Sequence, residues 1–341
     1  MGLHLVLHRA RTLKVVGVGL AALILPLGLV SPAAASGGPD LPPAGSTSQS
    51  QGTTNRAHTT DPSQPTTWTV LSGSESPDQA IQSMAFLPKD IYVNAGDTVK
   101  WLANSAEPHT VTFLAAGQEL PMFKPDDPTQ LFPTEASSYD GVSYYNSGLL
   151  IKGTGSSFPP VSSYSLSFPS TGNFDYYCLL HGMMMKGTVH VNAAGTPYPF
   201  TQAQYDRQST IQAAAILRDG YRLAASTARS ADSHTVYQGA DDGTAMVMRF
   251  IQPTVTVHVG ESVTFVNNGM AAPHTITFGA VPDNPFAPVG DATNFTGGQL
   301  SSGIQEPGQS FTVTFNAPGT FNYICILHAY MGMVGTVVVE P

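Results

Sequence analysis

Two short segments of the chain combine a cysteine, a histidine and methionines at a spacing that suits metal coordination. In each segment the histidine follows the cysteine by three residues, as Cys178-Leu-Leu-His181 and Cys325-Ile-Leu-His328, and methionines come directly afterwards. A thiolate and an imidazole on one tight turn can point at the same ion. Only 10 of the 341 residues are histidine, so chance alone gives this spacing at both cysteines about once in a thousand sequences.

Each half of the chain carries a second candidate histidine far upstream, in the similar contexts Pro-His109-Thr and Pro-His274-Thr. We expect each of these histidines to stand at the end of a strand and to meet the cysteine segment of its own half. Two imidazoles and one thiolate, with a weak axial thioether, form the ligand set of a blue-copper electron-transfer site. Zinc more typically takes four strong cysteine or histidine ligands and leaves methionine out.

The cysteine count leaves a disulfide as the alternative. The chain has two cysteines, which is enough for one bond in an oxidising compartment. A disulfide would not need the two histidines, so the repeated spacing favours metal binding.

The two halves are copies of one unit. The segment 84–101 aligns without gaps on 248–265 at an offset of 164 residues, and the similarity continues to the cysteine segments. A repeat of about 100 residues predicts two domains of the same fold. The first copy has the longer stretch between its upstream histidine and its cysteine; we predict that residues 119–164 form a surface loop.

Most of the chain has the pattern of short strands. Alternating apolar runs such as Ile91–Val93 and Thr98–Trp101 are separated by turn residues. Charged residues make up only 11% of the chain, and glycine and proline are abundant, which favours many short elements over long solvated helices. The sequence therefore predicts an all-β protein.

One stretch between the copies has helical spacing instead, from Thr201 to about Ser226. Thr201 and Gln204 fit a capping box at its start. Gly220 is unfavourable inside a helix and predicts a weak point or a break. We expect the helix to pack on one or both domains through an apolar stripe formed by Ala214, Leu217, Tyr221 and Ala224.

On these motifs both halves resemble the cupredoxins, the family of plastocyanin, azurin and amicyanin. The resemblance covers residues 68–192 and 234–340 and includes the Pro-His-Thr and Cys-x-x-His motifs, in the same order twice. It implies two Greek-key β-sandwich domains, joined here by the helical connector, with one type 1 copper in each. It also implies one-electron transfer, Cu(II) to Cu(I), through a histidine at the solvent edge of each site, here His181 and His328.

The same resemblance selects the axial ligands. The Met-x-Gly step that begins the last strand gives Met185 and Met333, with Met184 and Met331 as alternates. The first step, His-x3-Met, is closer to azurin, and the second, His-x4-Met, is similar to plastocyanin. Because its histidine-to-methionine spacing is shorter, the first site is the one that we would more readily expect to be empty and structural. The other methionines are expected to pack around the loop or to form an apolar docking patch around the exposed histidine.

The N-terminal sequence has the order of a secretory signal peptide, with basic residues, an apolar run over residues 15–30 and three alanines ending at Ala35. We expect cleavage there and export, and an uncleaved membrane anchor is the alternative. The following Ser-, Thr- and Pro-rich segment predicts a disordered tether. The predicted regions are the signal peptide 1–35, the tether 36–66, the first domain 67–194, the helical linker 195–233 and the second domain 234–341.

The net charge of −9 becomes −12 once the three basic residues of the signal peptide are removed. Such an acidic chain is not expected to bind nucleic acid. We expect a redox protein as partner, together with an association with the outer face of a membrane if the N-terminal segment is retained. The sequence does not indicate an oligomeric state.

Two other functions use the same ligands. A copper storage or delivery protein of the cell envelope is one of them. The other is a two-domain multicopper oxidase or nitrite reductase, which needs further histidines, typically one beside the cysteine. Tyrosine, leucine and isoleucine flank the two cysteines, and the remaining histidines of the domains, His190, His234 and His258, form no His-x-His pair. We therefore predict an electron carrier and not an enzyme.

Overall fold

Two β-sandwiches follow one another along the chain, with one long helix between them, in a computed structural model that describes residues 60–153 and 160–341. The predicted signal peptide and most of the predicted tether lie outside the described residues. The end of that predicted tether, residues 60–66, is described, and there the amide of Thr66 donates to Oδ1 of Asp97 in the first domain at 2.8 Å. No helix of the described residues is long and apolar enough to cross a membrane.

The first domain consists of two packed sheets, with the order β2-β1-β4-β7 in one and β3-β9-β8-β5-β6 in the other. Trp68 and Trp101 are fully buried between them. A short helix, α1, covers Pro128–Leu131 in the long loop. Strands β1 to β9 are Thr67–Glu75, Ile81–Leu87, Asp90–Asn94, Thr98–Ala103, Thr112–Phe113, Tyr145–Asn146, Ser163–Ser167, Gly172–Cys178 and Gly182–Asn192.

The second domain repeats this arrangement, with the orders β11-β10-β13-β17 and β12-β19-β18-β14-β16-β15. Strands β10 to β19 are Thr235–Asp241, Ala245–Ile251, Thr254–His258, Ser262–Val266, Thr277–Phe278, Pro288–Val289, Leu300–Ser302, Ser310–Thr314, Gly319–Ile324 and Val334–Glu340. The predicted class, two β-sandwiches with a helix between them, is confirmed. Within the described residues the first domain has nine strands and the second has ten, because several two-residue strands form in the long loops.

The two domains share one sheet. Strand β2 pairs antiparallel with β11, so the two four-stranded sheets join into one of eight strands. Ser83 lies opposite Ala245, and Ile81 lies opposite Val247. At the repeat offset of 164, Ala245 corresponds to Ile81 and Val247 corresponds to Ser83. The two copies therefore meet with near two-fold symmetry, as in an isologous dimer, and neither edge strand is left unpaired.

Helix α2, Gln202–Ser230, lies across this shared sheet and contacts β1, β2, β10 and β11. The predicted capping box of Thr201 and Gln204 is confirmed. The helix continues through Gly220 and does not break there. A Cβ atom at Gly220 would lie 2.2 Å from Cγ2 of Ile81, so the missing side chain is what lets the helix approach the sheet.

The buried face of α2 differs from the predicted stripe. Ala214 and Tyr221 are exposed, whereas Leu217 and Ala224 pack partly against the sheet. The contact is centred on a glycine and includes polar side chains, which a search for apolar periodicity does not detect. The buried residues of the helix are Tyr205, Ser209, Ile216, Gly220 and Thr227.

Replacing Gly220 with alanine should destabilise the protein, although alanine is the better helix former by about 1 kcal/mol. The added methyl group meets Ile81, and overpacking a filled contact costs about 1–3 kcal/mol. Urea unfolding of Gly220→Ala should therefore give a lower free energy of unfolding than the wild type. In an Ile81→Ala background the same substitution should cost less; strictly additive effects would contradict a direct contact.

Candidate metal centres

The first centre lies where three segments of the first domain meet. His109 is held by backbone hydrogen bonds exchanged with Leu150, at 3.1 and 2.7 Å. Cys178 ends β8, and His181 stands in the turn that leads into β9. The Nδ1 atoms of the two histidines are 3.2 Å apart, and Sγ of Cys178 is 3.3 Å from Nδ1 of His181 and 3.9 Å from Nδ1 of His109. The three predicted ligands are thus brought together.

The second centre repeats this geometry in the second domain. His274 exchanges backbone hydrogen bonds with Gln305 at 3.0 and 2.8 Å. The Nδ1 atoms of His274 and His328 are 3.1 Å apart, and Sγ of Cys325 is 3.4 Å from Nδ1 of His328 and 3.8 Å from Nδ1 of His274. The corresponding distances agree between the two centres to within 0.1 Å, so nothing in the His-Cys-His geometry marks the first as defective.

The donor atoms of both centres fit a type 1 copper ion. In each, two nitrogens and one sulfur lie within 4.8 Å of one another, and all the ligand residues are buried. Within residues 60–153 and 160–341, these are the two places where three such ligands gather at this spacing. Both cysteines are free, so the disulfide alternative is excluded. Two imidazoles and a thiolate in a dry cavity match the preference of copper for soft, mixed ligands.

The threonine that follows each upstream histidine contacts the sulfur of the cysteine in the same domain. The amides of Thr110 and Thr275 donate to Sγ of the cysteine in their own domain, at 3.4 Å in both cases. The hydroxyl groups of the same threonines accept hydrogen bonds from the amides of Leu179 and Ile326, at 2.8 Å. Through these contacts the threonines hold the sulfur atom and the backbone after the cysteine in place.

The candidate axial methionines differ in how far they are exposed and in which cluster they pack. Met185 and Met333 are at most 1% exposed and pack in the same apolar cluster as the cysteine of their own domain. Met184 is 37% exposed, and Met331 packs in the cluster of the other domain. The structure therefore favours Met185 and Met333. The shorter first loop is accommodated because β9 starts directly after its histidine, whereas the second loop includes a 3-10 helix at Ala329–Met331.

Two glycines that the sequence analysis missed stand behind the upstream histidines. Gly73 and Gly239 lie at equivalent bulges in β1 and β10, both with a φ of +76°. A Cβ at Gly73 would lie 2.4 Å from Nε2 of His109, and one at Gly239 would lie 3.4 Å from Nε2 of His274. The signal in the sequence was a glycine inside each of two corresponding predicted strands, which is typical of a bulge or a close approach.

The expectation of solvent-edge histidines is wrong for this chain. His181 is 3% exposed and His328 is 5% exposed, because each is covered by the opposite domain. The hydroxyl group of Tyr330 in the second domain donates to the carbonyl oxygen of Ala106 in the first, at 2.9 Å. Met183 and Met184 of the first loop are 66% and 37% exposed, but the histidine that the expected docking patch would surround is buried. The resemblance is to single domains, so it did not indicate that the surfaces around His181 and His328 would face each other.

One carboxylate lies between the two centres. Oε1 of Glu107 is 3.3 Å from Nε2 of His181, and Oε2 is 3.8 Å from Nε2 of His328. Sequence reasoning assigned Glu107 no role, although it stands in the aligned motif. The available signal was the difference between the copies, because Ala272 occupies the corresponding position in the second.

The charges of the metal-free centres follow from these contacts. Burial alone would lower the pKa of His181, but the Cys178 thiolate and the Glu107 carboxylate outweigh it and raise that pKa to about 10. The pKa of His328 is raised in the same way, against burial, by the thiolate of its own domain and by Glu107. Burial would raise the pKa of the Cys178 thiol, but the charge of His181 and hydrogen bonds lower it.

The pKa values of the upstream histidines, His109 and His274, are shifted in the opposite direction from those of His181 and His328. Burial lowers the pKa of His109 well below its ordinary value, with a further contribution from the charge of His181. Burial likewise lowers the pKa of His274. The lowered pKa values of these two imidazoles favour the neutral form that binds a metal, and the raised pKa values of His181 and His328 favour a proton on the histidine near Glu107.

The remaining histidines of the domains lie on the surface, as expected. His190 stacks on Tyr92 and lies 3.2 Å from Asp90, and His234 lies 3.6 Å from Glu261. His258 is exposed at the end of β12.

Comparison with known proteins agrees with the metal-site chemistry. The family described as copper binding proteins, plastocyanin/azurin family, matches residues 75–192 and 235–340. Chloroplastic plastocyanin of Tetradesmus obliquus is 36% identical over 139 residues, which is 41% of this chain and 86% of that protein. Plastocyanin of Scenedesmus fuscus is 38% identical over 106 residues, 31% of this chain and 98% of that protein. Among solved structures, amicyanin from Paracoccus versutus matches at 25% identity with a TM-score of 0.23, covering 33% of this chain and 88% of that one.

Copper uptake should release protons. Near neutral pH the metal-free centres hold a proton on His181 and on His328, whose pKa values are raised, while the pKa values of the thiols are lowered. Copper needs a neutral imidazole, so it should displace about one proton per site, and its affinity should fall about tenfold per pH unit as the pH drops. Calorimetry in buffers of different ionisation enthalpy measures this number. Binding that releases no protons would contradict the assigned ligands.

Substitution of the axial candidates should separate them by spectrum. Met185→Leu keeps a buried apolar side chain but removes the thioether, so it should shift the visible absorption and the electron paramagnetic resonance of the first site. Met184→Leu is the matched control next to it and should leave both spectra unchanged, because Met184 is partly exposed. The reverse result would assign the axial position to Met184.

Proposed function

The chain belongs to the plastocyanin/azurin family of copper-binding proteins, and on that premise we propose that it carries single electrons at two type 1 copper sites. The observation that supports this most directly is the pair of buried His-Cys-His clusters, one in each of the two regions that match the family. When bound, copper supplies the Cu(II)/Cu(I) couple. The protein itself holds the ligands and keeps water away.

The way the ligands are held suits a carrier. The upstream histidine of each site lies in an isolated β-bridge, His109 with Leu150 and His274 with Gln305, and a backbone amide donates to each sulfur. Ligands that are already in place need little rearrangement when the charge of the site changes. Their burial also excludes water, which would otherwise reorganise around the changing charge.

The protein is proposed to act outside the cytoplasm with a redox protein as partner. The support for export is the signal-peptide pattern of the first 35 residues. An acidic chain can steer a basic partner by long-range attraction. Because the edges of His181 and His328 are buried, this partner contacts neither imidazole directly in the described arrangement, so exchange uses another part of the surface.

Removal of each cysteine should abolish one site and leave the other. The wild type is expected to hold two coppers per chain, and each should give an intense thiolate charge-transfer band. Cys178→Ala and Cys325→Ala should each lose one copper and one band, as measured by metal analysis, visible absorption and electron paramagnetic resonance. A colourless protein, or loss of both bands from one substitution without unfolding, would contradict two separate type 1 sites.

A chelator test separates a carrier from a copper delivery protein. A carrier should keep its copper when a competing chelator is added in moderate excess and should still be reduced and reoxidised. Rapid loss of both coppers to the chelator would favour storage or delivery.

A further inference from the structure

The two copper sites face each other across a single buried side chain. Glu107 is 4% exposed, and its two carboxylate oxygens point to different domains, Oε1 to His181 and Oε2 to His328. Nδ1 of each of these rings faces the sulfur of its own site. The carboxylate therefore contacts the outer nitrogen of one ligand imidazole from each domain.

The backbone that carries this carboxylate is held from several sides. The amide of Ala106 donates to Glu75 at 2.8 Å, and the amide of Glu107 donates to Gln82 at 3.4 Å. From the second domain, Tyr330 donates to the carbonyl oxygen of Ala106. Within the described residues, Oε2 of Glu107 is a buried oxygen without a hydrogen-bond partner. Nε2 of His328 lies 3.8 Å from this oxygen.

The repeat explains why there is one carboxylate and not two. In the second copy Ala272 stands where the first has Glu107, and Ala272 packs in the apolar cluster of the first domain. With near two-fold pairing of the domains, an acid at both positions would bring two like charges together in a dry interface, which is unfavourable. A single acid thus serves both sites.

We propose that Glu107 is a positioning residue shared by the two sites and that it couples them, so that the state of one site alters the reduction potential of the other. This inference rests on the proposed function, because it requires copper at both sites. A carboxylate that accepts the outer N–H of a ligand imidazole fixes its tautomer and strengthens it as a ligand. One carboxylate cannot approach both rings equally, and here the distances are 3.3 and 3.8 Å.

The sign of the effect follows from charge. A negative charge close to a site favours the more positive oxidation state and lowers the reduction potential. Because the carboxylate is closer to His181 than to His328, the Cys178 site should have the lower potential. Because both rings share this one carboxylate, a change in how strongly His181 holds it should shift the potential of the Cys325 site.

Glu107→Gln tests the effect of the charge at nearly constant shape. It should raise the potentials of both sites, and more at the Cys178 site, where we expect about a tenfold change in the ratio of oxidised to reduced copper, or 59 mV for a one-electron couple. Glu75→Gln is the matched control, because Glu75 lies beside the same loop but contacts neither imidazole, bonding instead to the Ala106 amide and to Lys152 at 2.9 Å. The control should shift the potentials much less.

The coupling itself is measured by a cycle of four proteins. The potential of the Cys325 site is determined in the wild type and in Cys178→Ala, and again in both with Glu107→Gln. Emptying the first site should shift this potential in the presence of Glu107 and should shift it less with glutamine. An equal shift in both backgrounds would overturn the proposal, since a direct electrostatic effect of one site on the other would then explain it.

The outcomes distinguish this inference from the proposed function. A wild type without copper or thiolate bands overturns both. Two loaded sites whose potentials do not respond to Glu107→Gln overturn only the shared role of Glu107. If the glutamine variant fails to fold or load, Glu107→Asp decides the question: it keeps the charge on a shorter side chain, so the shift on emptying the first site should persist but shrink. A full-sized shift in Glu107→Asp would overturn the proposal.

Discussion

The antiparallel pairing of β2 with β11 determines most of what is specific to this protein. It joins the two sandwiches into one eight-stranded sheet and turns the copper sites toward each other. Because the pairing is nearly two-fold, the equivalent histidines of the two repeats, His181 and His328, meet at the interface and are buried there. Helix α2 packs over the shared sheet where β2 pairs with β11, and it comes close to the sheet because Gly220 has no side chain.

The burial of these histidines changes the chemistry available to each site. A single cupredoxin domain is expected to expose the corresponding edge to a partner, whereas here each domain takes the place of a partner for the other. The interface must then accommodate ring nitrogens that carry protons, and Glu107 is the acceptor within reach of both. Against the effect of burial, the thiolate of each domain and this contact with Glu107 raise the pKa values of His181 and His328, whereas burial lowers the pKa values of His109 and His274.

The sequence was sufficient for the parts that depend on local pattern. The spacing of residues along the chain predicts the all-β fold, the helix with its capping box and the three strong ligands of each site. Each of these depends on a few residues that are close in sequence, such as those of a tight turn or a strand end. The interface could not be read in this way. Nothing in the spacing of His181 or His328 shows that another domain covers it, and the buried face of α2 is centred on glycine and polar residues and not on an apolar stripe. Glu107 was visible only as a difference between the repeats.

The metal positions can be measured directly by anomalous X-ray scattering from crystals of the copper-loaded protein, at energies on either side of the copper absorption edge. We predict two anomalous peaks per chain, one beside Cys178 and one beside Cys325, each near Nδ1 nitrogens and a sulfur. The carboxylate of Glu107 should lie between the two outer imidazole nitrogens. A single peak bound to Glu107 and the Nε2 atoms of His181 and His328 would contradict this prediction.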